Sequence, residues 1–128
     1  EGSLMPLECF VPGQTLNPLN ARMHWAAEHR YLKGWKQRTA QHVLVARQAC
    51  PWAADLARPK RVMLLVRTRS LYDKDSGLGA ACKGVVDGLK GVVIDDDGPT
   101  RGHCFEITQV LDRRAPGVKI RIEPLEDA

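Results

Sequence analysis

Apolar and charged side chains alternate through Lys60–Arg69: Val62, Leu64, Val66 and Thr68 fall on one side, Arg61, Met63, Leu65, Arg67 and Arg69 on the other. A period of two with one apolar face predicts a strand lying on a core. Leu7 to Val11 reads as an earlier strand, ended by Pro12-Gly13. Phe105 to Leu111 and Val118 to Ile122 read as two later ones, with Arg113-Arg114-Ala115-Pro116-Gly117 as a hairpin loop between them. The period changes between Trp25 and Arg47. There Tyr31, Leu32, Trp35, Val43 and Ala46 form one helical stripe, with Arg30, Lys33, Lys36 and Arg47 on the opposite side. Cys50-Pro51 and Arg58-Pro59 bracket the connection that follows, because a residue before proline is pushed out of helical geometry.

Leu78, Cys82, Val85 and Leu89 space out a second helix, from about Leu78 to Lys90. Gly77 and Gly79 weaken its start by up to ~1 kcal/mol each relative to alanine, and equally suit a loop that approaches a ligand. The order β-α-β-α-β-β predicts an α/β fold with a mixed sheet and two helices packed on it. At 128 residues, 44% of them hydrophobic, the chain suits one domain spanning residues 5–128. Glu1 to Leu4, ahead of Met5, read as an addition to that domain. No apolar run nears the ~20 residues of a membrane span, and no charged-then-apolar leader is seen. Cys9, Cys50, Cys82 and Cys104 are scattered without a CxxC pair, which favours a reduced, cytoplasmic chain over a disulfide framework or zinc site.

Charge changes the picture more than composition does. Between Asn20 and Arg69 eleven Lys or Arg residues face two acidic ones, Glu28 and Asp55. Residues 71–99 then gather six of the fifteen acidic side chains. A basic half leading to an acidic cluster fits a polyanion-binding surface next to a cation site, and equally an ordinary solvated basic face. Asp73 and Asp75 project to the same side of an extended segment, within reach of one ion. After the second helix the chain would return through Val92-Val93-Ile94 to Asp95-Asp96-Asp97, of which Asp96 best closes the site, with Asp95 and Asp97 as alternates. Carboxylates that repel one another and offer only oxygen ligands suit magnesium, which keeps part of its water shell for a phosphate to complete. The same residues also fit plain polar loops flanking a helix. Lys83, one turn before Asp87, reads either as a surface ion pair or as a phosphate contact facing the cluster. His24, His29, His42 and His103 show no ligand spacing, and a local structural role is the simpler reading for His24.

The pattern YDKDS…K…DGL…G…IDDD resembles that of the RusA-like crossover junction endodeoxyribonucleases of bacteria and prophages. The resemblance runs from about Leu7 to Ile122. Asp73 and Asp75 fall on the family's first acidic pair, Lys83 on its lysine, Asp87 on its helix aspartate, and Asp95 and Asp96 on its terminal pair. Asn20 and His24-Trp25 match the front of the pattern. Ser76 replaces the usual asparagine, Lys83 lies further from Asp75 than in the best-known members, and the link from Leu89 to Gly91 is short. The longer first interval is similar to phage-borne variants and reads as an insertion at Gly77 to Ala81.

The resemblance implies a homodimeric, magnesium-dependent nuclease, with manganese as the alternative ion, that resolves four-way DNA junctions by paired symmetric nicks in recombination and repair. It implies that Asp73, Asp75 and Asp96 surround the metal and that Lys83 stands near the scissile phosphate. Arg30, Lys33, Lys36, Arg67 and Arg69 would hold the flanking DNA backbone without reading sequence. Two alternatives stay open: a junction-binding protein on the same fold with weakened catalysis, and a metal-dependent nuclease of forks, flaps or single strands.

Overall fold

The computed structural model describes residues 4–17, 24–73 and 77–125; Asn20, Asp75 and Ser76 lie outside the described residues. Among the described residues, four strands form one mixed sheet: β1 (Leu7–Pro12), β2 (Lys60–Thr68), β3 (Cys104–Leu111) and β4 (Gly117–Pro124), in the spatial order β1-β4-β2-β3. Three helices accompany it, α1 (Trp25–Arg47), α2 (Gly77–Ala81) and α3 (Lys83–Leu89), making a small single α/β domain. Short 3-10 turns occupy Pro51–Ala54 and Pro99–Arg101. Among the described residues, no helix is long and apolar enough to cross a membrane.

The alternation in β2 does what its sequence requires. Val62, Leu64, Val66 and Thr68 are buried, as are Val118, Ile120 and Ile122 of β4 and Leu7 and Val11 of β1. These inward faces join Trp35 and Val43 of α1 and Val85 and Leu89 of α3 in one core. Burying a valine, leucine or isoleucine stabilises by ~1.5–3 kcal/mol each, so this face dominates the fold. The other face of the sheet carries charge pairs, among them Arg61 with Glu106 at 2.5 Å and Arg121 with Glu8 at 2.7 Å.

The hairpin between the last two strands does not form. β4 lies between β1 and β2, while β3 sits beyond β2 and runs parallel to it. The reason is visible in the side chains. Every second residue of β4 from Val118 to Ile122 is fully buried, which suits a strand flanked on both sides, whereas β3 has no buried residue and leaves Val110 and Leu111 exposed, which suits an edge. The segment from Asp112 to Pro116 therefore passes over the end of β2, and Asp112 Oδ1 shapes it by accepting the Arg114 and Ala115 N–H groups, each at 3.0 Å.

The second predicted helix is two. It breaks at Cys82, whose φ of −95° and ψ of 1° leave the helical region, so the described residues hold three helices rather than two. α3 then packs backbone-close on α1. A Cβ at Gly84 would stand 2.7 Å from Trp35 Cβ, and one at Gly88 would stand 2.7 Å from the Lys36 carbonyl oxygen. Only glycine permits that approach, and the four-residue spacing puts both on the same side of the helix.

Candidate functional site

Parallel pairing of β2 with β3 governs where the acidic residues go. Two parallel neighbours need a connection that travels the length of the sheet, because the second strand must start where the first one started. Asp73 follows the C-terminal end of β2, and Asp95 to Asp97 precede β3 and lie at the N-terminal end of β2. β2 is nine residues long, so its ends lie about 26 Å apart. The expected return of the chain to Asp73 does not occur within one molecule: α2 and α3 carry it to the opposite end instead.

Among the described residues, neutral groups hold the backbone of the Asp73 arm. Gln109 of β3 clamps the Tyr72 backbone on both sides, accepting its N–H at 2.8 Å and donating to its carbonyl at 2.9 Å. The Tyr72 hydroxyl meets Thr15 Oγ1 at 2.8 Å, and Gln14 donates to Thr68 Oγ1 at 2.9 Å and accepts the Arg69 N–H at 3.1 Å. The Leu78 N–H donates to the Asp73 carbonyl at 2.9 Å, and Gly77 lies so close that a Cβ there would be 3.5 Å from Asp73 Cβ. Asp73 itself is exposed, beside a cleft of about 310 Å³ lined by residues 14–17 and 70–73. Gln14 and Gln109 were silent in the sequence, since a backbone clamp leaves no spacing signal.

Charges surround the other arm. Lys90, just past α3, reaches Asp87 at 3.2 Å, Asp97 at 3.1 Å and Asp96 at 3.8 Å. Its hydrogen bond to Asp97 leads the effects that raise its pKa above the ordinary 10.5. The Asp97 N–H, donating to Asp96 Oδ1 at 2.8 Å, lowers the Asp96 pKa. Asp95 differs from its neighbours. Its Oδ1 is 2.8 Å from Nε2 of His103, whose side chain is fully buried, and also accepts the Asp96 N–H at 2.9 Å. The His103 hydrogen bond is the main reason the Asp95 carboxyl is held below its ordinary 3.8. Asp95 is thus engaged inward, leaving Asp96 and Asp97 as the two more exposed carboxylates of the run.

The basic residues fall into two groups. His29, Leu32, Lys33 and Lys36 of α1 face Lys83 and Asp87 of α3 across a groove of about 410 Å³, in which Asp87 is the one carboxylate among the described lining residues. Lys83 pairs with Asp87 at 3.4 Å, with its own side chain mostly exposed. Arg30 is exposed on α1, and Arg69 is exposed at the end of β2. Arg67 departs from this group. It lies on the outer face of the sheet, away from α1, 3.8 Å from Asp112 and over the Phe10 ring at 5.6 Å. The five basic residues therefore do not make one continuous surface.

Among the described residues, no three His, Cys, Asp or Glu side chains gather as a metal-binding group. The separation of the two arms explains this, and Asp75 lies outside the described residues. The donor chemistry of Asp73, Asp96 and Asp97 is nonetheless that of a hard divalent ion, and three carboxylates already share one cation in Lys90. Neither protein-family models nor curated proteins give a match to this chain.

Proposed function

We propose that this chain is a metal-dependent endonuclease of branched DNA, similar in fold and chemistry to the RusA-like crossover junction endodeoxyribonucleases, acting as a homodimer on four-way junctions. The observation that carries the reading is the continuity of charge around Asp87. This one carboxylate lines the groove holding Lys33, Lys36 and Lys83, and shares Lys90 with Asp96 and Asp97. A phosphate backbone in the groove meets ammonium groups along its length and carboxylates at its end, the layout of a hydrolytic centre fed by a polyanion track.

Asp73, Asp75 and Asp96 would hold magnesium, or manganese in its place. When bound, the ion supplies an activated water and charge stabilisation at phosphorus. The chain's own side chains do the rest. Lys33 and Lys36, with Arg30 and Arg69 nearer the ends, hold the backbone. Lys83 presents its ammonium to a phosphate in the groove, with Asp87 keeping it oriented. Since Asp73 and Asp96 stem from opposite ends of β2, one chain does not bring them to one ion. Two copies related by a two-fold axis do, with Asp73 and Asp75 from one and Asp96 from the other, and the same axis gives the paired nicks on opposing strands.

A second reading, a junction-binding protein without cleavage, draws support from Lys90, which already compensates the charge of Asp87, Asp96 and Asp97. Labelled four-way junctions, forks, flaps, duplexes and single strands, incubated with and without magnesium, separate the readings. Symmetric nicks in junctions that need magnesium are expected. Junction binding without nicking would favour the second reading, and preferential cutting of forks, flaps or single strands would change the substrate.

A further inference from the structure

His103 is a buried polar side chain that the proposed chemistry does not use. Its Nδ1 accepts the Lys60 backbone N–H at 3.2 Å, so that nitrogen carries no proton and the ring hydrogen of the neutral imidazole sits on Nε2, which faces Asp95 Oδ1 at 2.8 Å. The loop that supplies the Lys60 N–H is itself pinned. The buried Lys60 ammonium donates to the Asp55 carbonyl and, at 3.1 Å, to that of Arg58, and the Asp95 N–H donates to the Leu56 carbonyl at 3.1 Å. Asp95 is therefore held at its backbone and its carboxylate at once. Its Oδ1 in turn fixes the next peptide by accepting the Asp96 N–H at 2.9 Å.

We propose that His103, locked as its Nε2–H tautomer by the start of β2, is a positioning residue: it fixes the Asp95 carboxylate and, through the Asp96 N–H, the direction in which the Asp96 carboxylate faces. The claim rests on the nuclease reading only for what the Asp96 carboxylate then does. A histidine with one nitrogen on the backbone and the other on a carboxylate has a single orientation, whereas a surface aspartate run without it can adopt several turns. The same geometry distinguishes the three adjacent aspartates. Asp95 serves as the strut, and Asp96 as the group presented.

Two variants test this. In His103→Gln the amide nitrogen reaches the place of Nε2 and keeps the donor to Asp95; in His103→Asn the side chain is too short to do so. On the full-length chain without metal, long-range nitrogen–proton NMR should show His103 protonated at Nε2 alone. Amide exchange at Asp96 should accelerate at least tenfold in His103→Asn, with β4 amides unchanged, and stay near the parent in His103→Gln. Manganese binding, followed by the loss of the free-ion resonance, should weaken 10–100-fold in His103→Asn and recover largely in His103→Gln, the range seen when a ligand's supporting hydrogen bond is removed. A proton on Nδ1, or unchanged Asp96 exchange in His103→Asn, overturns the proposal, as does manganese affinity that falls equally in both variants. If the parent chain binds no manganese, the nuclease reading fails instead. The tautomer and the Asp96 exchange then decide the positioning claim alone, by the same outcomes.

Discussion

The two acidic arms solve the same problem, holding carboxylates at a surface, in opposite ways. At the Asp73 end the scaffold among the described residues is neutral: amides and hydroxyls of Gln14, Thr15, Tyr72 and Gln109 bond backbone and one another. At the Asp95–Asp97 end it is ionic, built on Lys90 and Arg101, with the buried His103 ring hydrogen-bonded to Asp95. Neutral clamps keep their strength in salt and across pH, while ion pairs at a surface are screened and titrate. One arm is thus a fixed platform, and the other is a charge-balanced group whose balance a bound cation can shift.

The largest expected effect breaks the comparison outright. Asp73→Asn and Asp96→Asn should each abolish nicking while junction binding persists. If the site is shared between copies, co-expressing the two variants restores intact sites in mixed dimers, at roughly a quarter of the parent number, because half the dimers are mixed and each has one whole site of two. No recovery in dimers confirmed as mixed would return both arms to single-chain roles.

Next in size is the neutral arm. Gln109→Leu removes both bonds to the Tyr72 backbone and should destabilise by ~1–3 kcal/mol, the cost of leaving such groups unpaired, in denaturant titrations at low and high salt alike. A strongly salt-dependent loss would mean that this arm is ionic after all. On the other side, Lys90→Met should cost no more than ~1 kcal/mol without metal, as expected for partly exposed ion pairs. The variant's melting temperature should then rise more steeply with added magnesium than the parent's. An equal response in both would remove Lys90 from the cation balance.

The smallest effect concerns acid. The Asp95 pKa is lowered on folding, so its contribution is fully present above the ordinary 3.8 and is lost as pH falls through the depressed value. The melting-temperature gap between the parent and Asp95→Asn should therefore be constant from neutral pH to about pH 5 and shrink below 3.8. A gap that persists unchanged to pH 2 would show that the His103 hydrogen bond does not favour the charged form.

Much of the fold was legible because periodicity is written in single residues. α1 runs from Trp25 to Arg47, and β2 begins at Lys60, as the patterns require. Strand order was not legible in the same way. The short polar link at 113–116 looks like a hairpin, and only the relative burial of Val118, Ile120 and Ile122 against β3 decides that β4 goes inside. The site divides along the same line. Asp73, Lys83 and the Asp95–Asp97 run stood out by residue type, but whether they meet depends on the parallel sense of β2 and β3. His103 and Gln109 could not be singled out, because their importance lies in contacts with backbone far away in sequence, Lys60 and Tyr72.

The bare seam of Gly84 and Gly88 against α1 has a mechanical consequence. With main chain resting on main chain, the spacing between Lys33, Lys36 and Lys83 is set by the backbone itself and not by any side chain that could change rotamer. A single methyl group at Gly88 would act as a wedge at a fulcrum. It would lever the end of α3 away from α1, taking Asp87 and Lys90 with it and opening the groove and the acidic arm together. Alignment of the basic track with the carboxylates is in that sense a gauge machined by two hydrogen atoms.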